Sequence, residues 1–291
     1  MILVVGSTGL LGSMIIAKLV QDGQEVRALV RSSAARDAVT SAGATAVMGD
    51  LKDLASLRVA CAGAEAVVTT ANSSARGGDD TVESVDRRGN QNLVDAAASS
   101  AVRHVVLVSA LGASPHHPLP FLQAKGEAEE HLRASGMAWT VLQPNLFMDG
   151  LPMLVVGLPA LSGEPVVLVG EGLRRHSMVA ARDVAAYAVA SLTHPGAAAQ
   201  TLRIGGPEAV TWHDVVHAFQ QSLGHALDIR SVPLGQPVPG VPDMAMGLLA
   251  SLEGYDSPVD SSVIAETYGV TPTTLTQFVH EHVVGTRRAL S

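Results

Sequence analysis

The chain has 291 residues, 47% of them hydrophobic and 16% charged, which is typical of an α/β protein whose central strands are buried on both faces. Its net charge of −8, without any block of basic residues, argues against binding to nucleic acid, because phosphate recognition needs clustered Lys and Arg. The single cysteine, Cys61, excludes an internal disulfide and a cysteine-based zinc site, and it fits a reducing compartment.

No segment of the sequence predicts a membrane span or a secretion signal. A strand pattern begins immediately after Met1, with neither a basic region nor a cleavage site before it. The most apolar later stretch, 153–161, contains Gly157 and Pro159 and is far shorter than the roughly 20 residues that a spanning helix needs. We therefore expect a cytoplasmic protein with no membrane partner.

The first half of the chain alternates short β-branched runs with helical stretches, which indicates successive βαβ units and a parallel sheet. The predicted strands are 2–5, 25–30, 44–48, 66–70, 104–108 and 139–142. The predicted helices between them are 12–21, 54–60, 82–100 and 119–135. Six strands in this alternation predict an α/β fold with a Rossmann-type, doubly wound parallel sheet.

After Pro144 the alternation stops, and three further prolines rule out a single long element. The later predicted helices are 183–192, with Asp183 as N-cap, 212–223, with Thr211 as N-cap, and 273–284. The Pro- and Gly-rich stretch 233–242 predicts a loop. We expect a Rossmann domain over 1–150 and a smaller C-terminal α/β substrate lobe over 151–291, interleaved and folding as one unit.

Three glycines, each three residues after the last, follow the first predicted strand and open the first predicted helix. This context is typical of a dinucleotide-binding turn. A tight turn, backbone amides beside a pyrophosphate and close helix–strand packing each require a residue without a side chain, and the helix N-terminus adds partial positive charge. The alternative is a plain glycine-rich turn. The residues expected to contact the pyrophosphate are Gly6, Thr8, Gly9, Leu10, Leu11 and Gly12.

Arg31 ends the second predicted strand, where an NAD-specific site usually carries Asp or Glu for the ribose 2′-hydroxyl. A carboxylate would repel a 2′-phosphate, whereas a guanidinium pairs with it through charge-assisted hydrogen bonds. Arg31 therefore favours NADP(H), the alternative being a solvated arginine at a strand end. Asp50 follows the third predicted strand, where it could accept from the adenine amino group or simply form a turn.

As a set, the motifs resemble the NmrA-like, atypical branch of the short-chain dehydrogenase/reductase superfamily over about residues 1–210. They are the glycines, Leu29-Val30-Arg31, Gly49-Asp50-Leu51, Thr69-Thr70-Ala71-Asn72, Ser109, Lys125 followed by Glu127 and Glu129, and Pro144-Asn145. Bacterial members of that branch include quinone, azo-dye and ketone reductases, and also proteins that sense NADP(H) without turnover. The resemblance implies that the NADP(H) site also contains Leu51, Thr70, Ala71, Asn72, Lys125, Pro144 and Asn145.

The chain departs from the superfamily at the usual proton donor. Ordinary members use a Tyr-x-x-x-Lys pair, in which the phenol donates the proton and the lysine lowers its pKa. Here Phe121 stands four residues before Lys125, and none of the three tyrosines has a lysine four positions later. The chemistry therefore needs no such donor, or takes it from elsewhere, or does not occur.

Histidines offer two other candidates. His116 and His117 follow Ser109 and could include a general acid, although flanking prolines favour a solvated loop. His280 and His282 are two apart on a predicted helix and point to different faces, so we expect no metal site.

The leading hypothesis is an NADPH-dependent reductase in which Lys125 holds the cofactor ribose and Ser109 orients the acceptor oxygen. Hydride addition to a simple ketone gives a strongly basic alkoxide, whereas a quinone or polycyclic aromatic ketone gives a delocalised, weakly basic anion. The missing tyrosine favours the second class of acceptor. The alternative is a non-catalytic, NADP(H)-sensing regulatory protein. Either would be a monomer or a homodimer.

Overall fold

The computed structural model describes residues 1–73, 77–238 and 240–289. The strands are β1 (Ile2–Val5), β2 (Val26–Val30), β3 (Thr45–Met48), β4 (Ala66–Thr69), β5 (His104–Val108), β6 (Ala138–Pro144), β7 (Val166–Val169), β8 (Gln200–Ile204) and β9 (Ile229–Val232). The α-helices are α1 (Leu10–Gln21), α2 (Ser33–Ser41), α3 (Leu54–Cys61), α4 (Arg88–Ser99), α5 (Pro120–Ala134), α6 (Leu158–Ser162), α7 (Ala181–Thr193), α8 (Trp212–Leu223), α9 (Asp243–Leu252), α10 (Ser262–Tyr268) and α11 (Leu275–Ala289). Two π-helical stretches, Val82–Arg87 and Met153–Gly157, run directly into α4 and α6.

The chain divides into two compact units. The first comprises Met1–Pro144, Val184–Arg203 and Thr267–Val270. The second comprises Asn145–Asp183, Ile204–Glu266 and Thr271–Ser291. Later segments of the chain therefore return to the first unit after the second has begun.

A seven-stranded sheet of order β3-β2-β1-β4-β5-β6-β8 organises the first unit, and β1 to β6 pair in parallel. The strand order reverses direction at β1 and β4, and ligands of such sheets bind outside the carboxyl ends of the strands at this switch point. Leu3, Val67 and Val105 are buried in the sheet, as expected for β-branched and Leu-rich strands covered on both faces. The predicted Rossmann-type α/β fold is confirmed.

The second unit contains a short parallel sheet and its own core. β7 pairs in parallel with β9, with Val166 opposite Ile229. The core around it includes Met148, Met178 and Phe219, all buried. Phe219 belongs to α8, whereas Met148 and Met178 come from the connecting segments, so helices and loops both contribute to this core.

Asp183 does not cap α7 as the sequence predicted. The helix begins two residues earlier, at Ala181, whose backbone N–H donates to Asp149 Oδ2 at 2.8 Å. Asp183 lies in the first turn, and its carboxylate accepts from the Thr273 N–H at 2.7 Å and hydroxyl at 2.8 Å. A carboxylate bound to distant backbone is not available to cap its own helix, so the predicted start was wrong.

Two observations concern membranes and metals. In the described ranges, no helix combines the length and apolarity needed to cross a membrane. Across the same ranges, no three His, Cys, Asp or Glu side chains gather in a way that could hold a metal ion.

Candidate functional site

The turn between β1 and α1 contains two glycines that the protein's own packing requires. Gly6 has a φ of +80°, and a Cβ on it would lie 2.5 Å from Thr70 Oγ1. A Cβ on Gly12 would lie 2.1 Å from the Gly6 carbonyl oxygen. Left-handed backbone and a contact this short both exclude a side chain.

Gly9 differs from its two neighbours. Its backbone is extended, with a φ of −75°, and a Cβ would meet only the Gly6 carbonyl oxygen, at an ordinary 3.4 Å. Among the described residues, none therefore requires glycine at this exposed position. Because position 9 has no side chain, the backbone of this turn is open to a ligand, and in such turns a pyrophosphate binds to the backbone amides.

The N-terminus of α1 is open as well. Gly9 is the N-cap and has no side chain to cap the helix, and the first turn contains no acidic residue. Thr8 is exposed, and Leu10 is 53% exposed. Buried Ser7 donates its hydroxyl to the Leu29 carbonyl at 2.7 Å, which fixes the turn against β2. A fixed helix N-terminus with uncapped amides is a site for an anion.

The predicted segment after β4 lies against this turn. The Thr70 N–H donates to the Val5 carbonyl at 2.9 Å, and its hydroxyl lies 3.3 Å from the Gly6 carbonyl oxygen. Ala71 is buried, and the Asn72 side-chain amide donates back to the Thr70 carbonyl at 3.4 Å. The structure therefore brings the 70–72 segment and the glycine turn together at the carboxyl ends of β1 and β4.

Lys125 connects α5 to the same segment. The side chain is 3% exposed, and Nζ donates to the Ala71 carbonyl at 3.1 Å and lies 3.5 Å from Asp86 Oδ1. Burial lowers the pKa of Lys125, while the charges of Asp86 and Glu129 oppose that shift. The Phe121 ring lies one turn before it, with its centroid 5.7 Å from Nζ.

Asp86 owes its position to the π-helical stretch Val82–Arg87. Thr81 starts this stretch with a capping box, and Asp86 projects into the protein, where its side chain is fully buried. Its Oδ2 accepts from the Ser73 N–H at 2.9 Å. π-Helical turns recur at functional sites because they redirect side chains within a helix.

Ser109 directs its hydroxyl proton into the protein. Its Oγ donates to Glu129 Oε1 at 2.5 Å, and the buried Glu129 also accepts from Gln143 and from Arg133 at 2.8 Å. In this arrangement Ser109 can accept a hydrogen bond but has no proton left to donate. Its predicted role in orienting an acceptor oxygen stays a prediction.

Arg31 belongs to a cluster of four charges at the ends of β2 and β3. Its Nη1 lies 2.5 Å from Asp80 Oδ2 and 3.8 Å from Asp50 Oδ2. Lys52 Nζ donates to Asp80 Oδ1 at 2.7 Å. The hydrogen bond from Lys52 and the charge of Arg31 lower the pKa of Asp80 to about 2.

Asp50 and Leu51, from the Gly49-Asp50-Leu51 motif, both make contacts inside the protein. Asp50 Oδ1 accepts from the Lys52 N–H at 2.8 Å, which closes the turn that the sequence offered as an alternative to adenine binding. Leu51 is buried in the core of the first unit, and its carbonyl accepts from Asn92 at 3.0 Å.

The residues predicted after β6 lie in different hydrogen-bond networks. The Pro144 carbonyl accepts from the Leu111 N–H at 2.9 Å. Asn145, in the second unit, donates to the Ser257 carbonyl at 2.7 Å, and Ser257 Oγ lies 2.7 Å from His176 Nδ1.

The two loop histidines differ in their surroundings. His116 is exposed, and His117 Nδ1 accepts from the Leu119 N–H at 3.0 Å.

Sequence reasoning missed Lys52, Asp80 and Asp86, and it assigned Glu129 no role. Lys52 directly follows a motif that the sequence singled out, so its position was a usable signal. Glu129 is four residues after Lys125 on one helix, and such residues share a face. Asp80 and Asp86 gave no such signal, because their partners are far away in the sequence.

A parallel sheet with an open glycine turn after its first strand defines a Rossmann-type dinucleotide-binding protein. Residues 6–195 match the NAD(P)H-binding family. The chain belongs to that family, and its resemblance to the NmrA-like atypical short-chain dehydrogenases/reductases is confirmed. Membership of an NAD(P)H-binding family confirms the expectation that the cofactor is a nicotinamide dinucleotide.

Three similar proteins illustrate the range of the relatives. An NAD(P)H azoreductase from Xenophilus azovorans is 32% identical over 246 residues, which cover 84% of this chain and 82% of the relative. The photosystem II assembly factor Ycf39 from Synechocystis is 30% identical over 234 residues, which cover 80% of this chain and 71% of the relative. The fold resembles that of an Escherichia coli NADPH-dependent quinone oxidoreductase complexed with NADPH, with a TM-score of 0.79, 23% identity and coverage of 97% and 99%.

Proposed function

We propose that this protein is an NADPH-dependent oxidoreductase that reduces a quinone or a polycyclic aromatic ketone. The observation that carries the proposal is Phe121, which lies one turn before a buried Lys125 where ordinary short-chain reductases have their acidic tyrosine. The sequence relationship to an NAD(P)H azoreductase supports the same class of reaction.

The residues present fit a dinucleotide. Gly9 leaves room that a side chain would fill, and α1 presents an uncapped N-terminus to the pyrophosphate. Arg31 is the candidate for the 2′-phosphate, and Lys125 for the ribose hydroxyls. When bound, the reduced nicotinamide supplies the hydride.

The acceptor class follows from the protons that the chain can provide. Phe121 has none, and Ser109 donates its hydroxyl proton to Glu129. A simple ketone would need prompt protonation of a strongly basic alkoxide. A quinone or extended aromatic ketone yields a delocalised anion that water can protonate, so the chain needs to supply mainly proximity and electrostatics.

The test is oxidation of NADPH by the pure protein with two matched sets of acceptors, under exclusion of oxygen. We expect turnover with naphthoquinones and polycyclic aromatic ketones, and at least a hundredfold lower kcat/KM with aliphatic ketones. Gly9→Val, which should remain folded without binding cofactor, is the control for nonenzymatic reduction. Equal rates with aliphatic ketones would contradict the proposed role of the missing acid.

A second candidate function is a regulatory protein that binds NADP(H) without turnover. The hydrogen bond that Ser109 donates to Glu129 favours it, because this hydroxyl then has no proton for a substrate, and so does the sequence relationship to a photosystem II assembly factor. It predicts tight NADPH binding with no oxidation by any acceptor. It also predicts different protease sensitivity in NADPH and NADP⁺, because a sensor must respond to the state of its ligand.

A further inference from the structure

An internal carboxylate holds both cations near the expected 2′-phosphate position. Asp80 accepts from Arg31 through one oxygen, at 2.5 Å, and from Lys52 through the other, at 2.7 Å. The Asp80 side chain is only 6% exposed, whereas those of Arg31 and Lys52 are 44% and 38% exposed. The carboxylate is therefore almost inaccessible to solvent, whereas the two cations that donate to it still reach solvent.

Within the part of the chain that the structure describes, the four charges of this cluster cancel. Arg31 and Lys52 carry two positive charges, and Asp50 and Asp80 carry two negative ones. A phosphate monoester carries about −1.5 to −2 at neutral pH. It seeks the same charge-assisted hydrogen bonds that Asp80 already receives, so phosphate and carboxylate cannot both take them in full.

We propose that Arg31 and Lys52 form a two-cation subsite for the 2′-phosphate of NADP(H), and that Asp80 competes with the phosphate for both cations. The inference rests on the proposed use of NADP(H). NAD(H) has no 2′-phosphate and does not need to displace Asp80. Asp80 therefore reduces the preference for NADP(H) that Arg31 and Lys52 would otherwise give.

Release of Asp80 depends on the ligand and not on a proton. Lys52 and Arg31 hold the pKa of Asp80 at about 2, so the carboxylate remains charged throughout the neutral range. The competition should therefore persist unchanged from about pH 7.5 to about pH 8.5, where a phosphate with a second pKa of about 6 is almost fully ionised, and it should weaken with added salt.

Calorimetric titration with two nucleotide fragments tests the competition without any turnover. The probes are 2′,5′-ADP, which carries the 2′-phosphate, and 5′-AMP, which does not. Asp80→Asn should bind 2′,5′-ADP about tenfold more tightly, the effect of removing one charge about 5 Å from a phosphate in a water-exposed cluster. Its affinity for 5′-AMP should stay within twofold.

The matched control is Asp79→Asn, which removes the same charge from the adjacent, exposed residue and should change neither affinity more than threefold. In the Asp80→Asn background, Lys52→Met should weaken 2′,5′-ADP binding about tenfold and leave 5′-AMP binding unchanged. Circular dichroism verifies folding, and Asp80→Ser replaces Asp80→Asn if the amide is not tolerated.

An unchanged or reduced preference for 2′,5′-ADP in Asp80→Asn would overturn the competition, because Asp80 would then organise the cations. No effect of Lys52→Met would overturn the two-cation subsite. Failure of the parent protein to bind either nucleotide would overturn the inference together with the cofactor site. Selective binding without NADPH oxidation would overturn the proposed reductase alone and support the inference.

Discussion

Alanine substitutions at Gly9 and Gly12 distinguish a glycine that is needed for ligand binding from one that is needed for packing of the protein itself. A methyl group on Gly12 would lie 2.1 Å from the Gly6 carbonyl oxygen, so β1 and α1 must move apart. Overpacking of this kind costs about 1–3 kcal/mol. For a protein of this size, that corresponds to a melting temperature lower by roughly 2–12 °C.

Gly9→Ala should behave in the opposite way. Its methyl group would meet only the Gly6 carbonyl oxygen, at 3.4 Å, and its backbone suits any residue. Loss of a glycine N-cap costs at most about 1 kcal/mol, so the melting temperature should fall by less than roughly 4 °C. The methyl group stands where the backbone should meet the pyrophosphate, and NADPH affinity should fall at least tenfold, or about 1.4 kcal/mol.

Differential scanning calorimetry and titration with NADPH measure both quantities on the same samples. Gly12→Ala reports on packing, and Gly9→Ala reports on the ligand. A Gly9→Ala variant that bound NADPH as tightly as the parent protein would refute the assignment of this turn to the pyrophosphate. A Gly9→Ala variant that lost stability like Gly12→Ala would refute the reasoning that Gly9 has no internal role.

Three further predictions concern charge and packing around the site. Arg31→Ala should weaken NADPH binding about tenfold, or about 1.4 kcal/mol, and leave NADH binding unchanged, as measured by calorimetry. Phe121→Leu should keep its kcat for an electron-poor quinone within about tenfold, because a phenyl ring takes no part in proton transfer, whereas Lys125→Met should mainly raise the Kd for NADPH. The lowered pKa of Asp80 stabilises the fold above the unfolded-state pKa of 3.8, and this contribution is lost as the pH falls toward 2. Urea unfolding from pH 4 to pH 2 should therefore show the parent protein losing up to about 1 kcal/mol more than Asp80→Asn, and parallel curves would contradict the ion-pair assignment.

The sheet was predictable because its information is local. Each of the six predicted strands begins and ends within two residues of the observed one. A run of β-branched residues and the turn residues that bound it are adjacent in the sequence, so a strand can be recognised without knowledge of distant segments. Helix α2 (Ser33–Ser41) was missed because it is short and buries only Val39, so its sequence contains no apolar run that marks a helix. Its Ser32 N-cap, which accepts from the Ala35 N–H at 3.2 Å, was the one local signal of its start.

The site was only partly predictable because its charged pairs join distant segments. Glycine spacing and the strand-end Arg31 can be recognised within a few residues. Asp80 is 49 residues from Arg31, and the pairing exists because the chain after β4 returns to the end of β2. Asp183 illustrates the same limitation. The local sequence predicted a helix N-cap because aspartate is a common capping residue, but its carboxylate binds Thr273, 90 residues away.

Lys125 makes structural contacts that do not involve the tyrosine that usually stands four residues before this lysine. A buried ammonium needs compensating contacts, and here Asp86 and the Ala71 carbonyl provide them. The Ala71 carbonyl belongs to the segment after β4, and Asp86 accepts from the Ser73 N–H of the same segment, so the lysine contributes to the shape of the proposed cofactor site. A tyrosine at position 121 would add a proton donor without being needed for that arrangement. The contacts of Lys125 in this chain therefore do not depend on a tyrosine at position 121, which is compatible with the proposed reduction of acceptors that give weakly basic products.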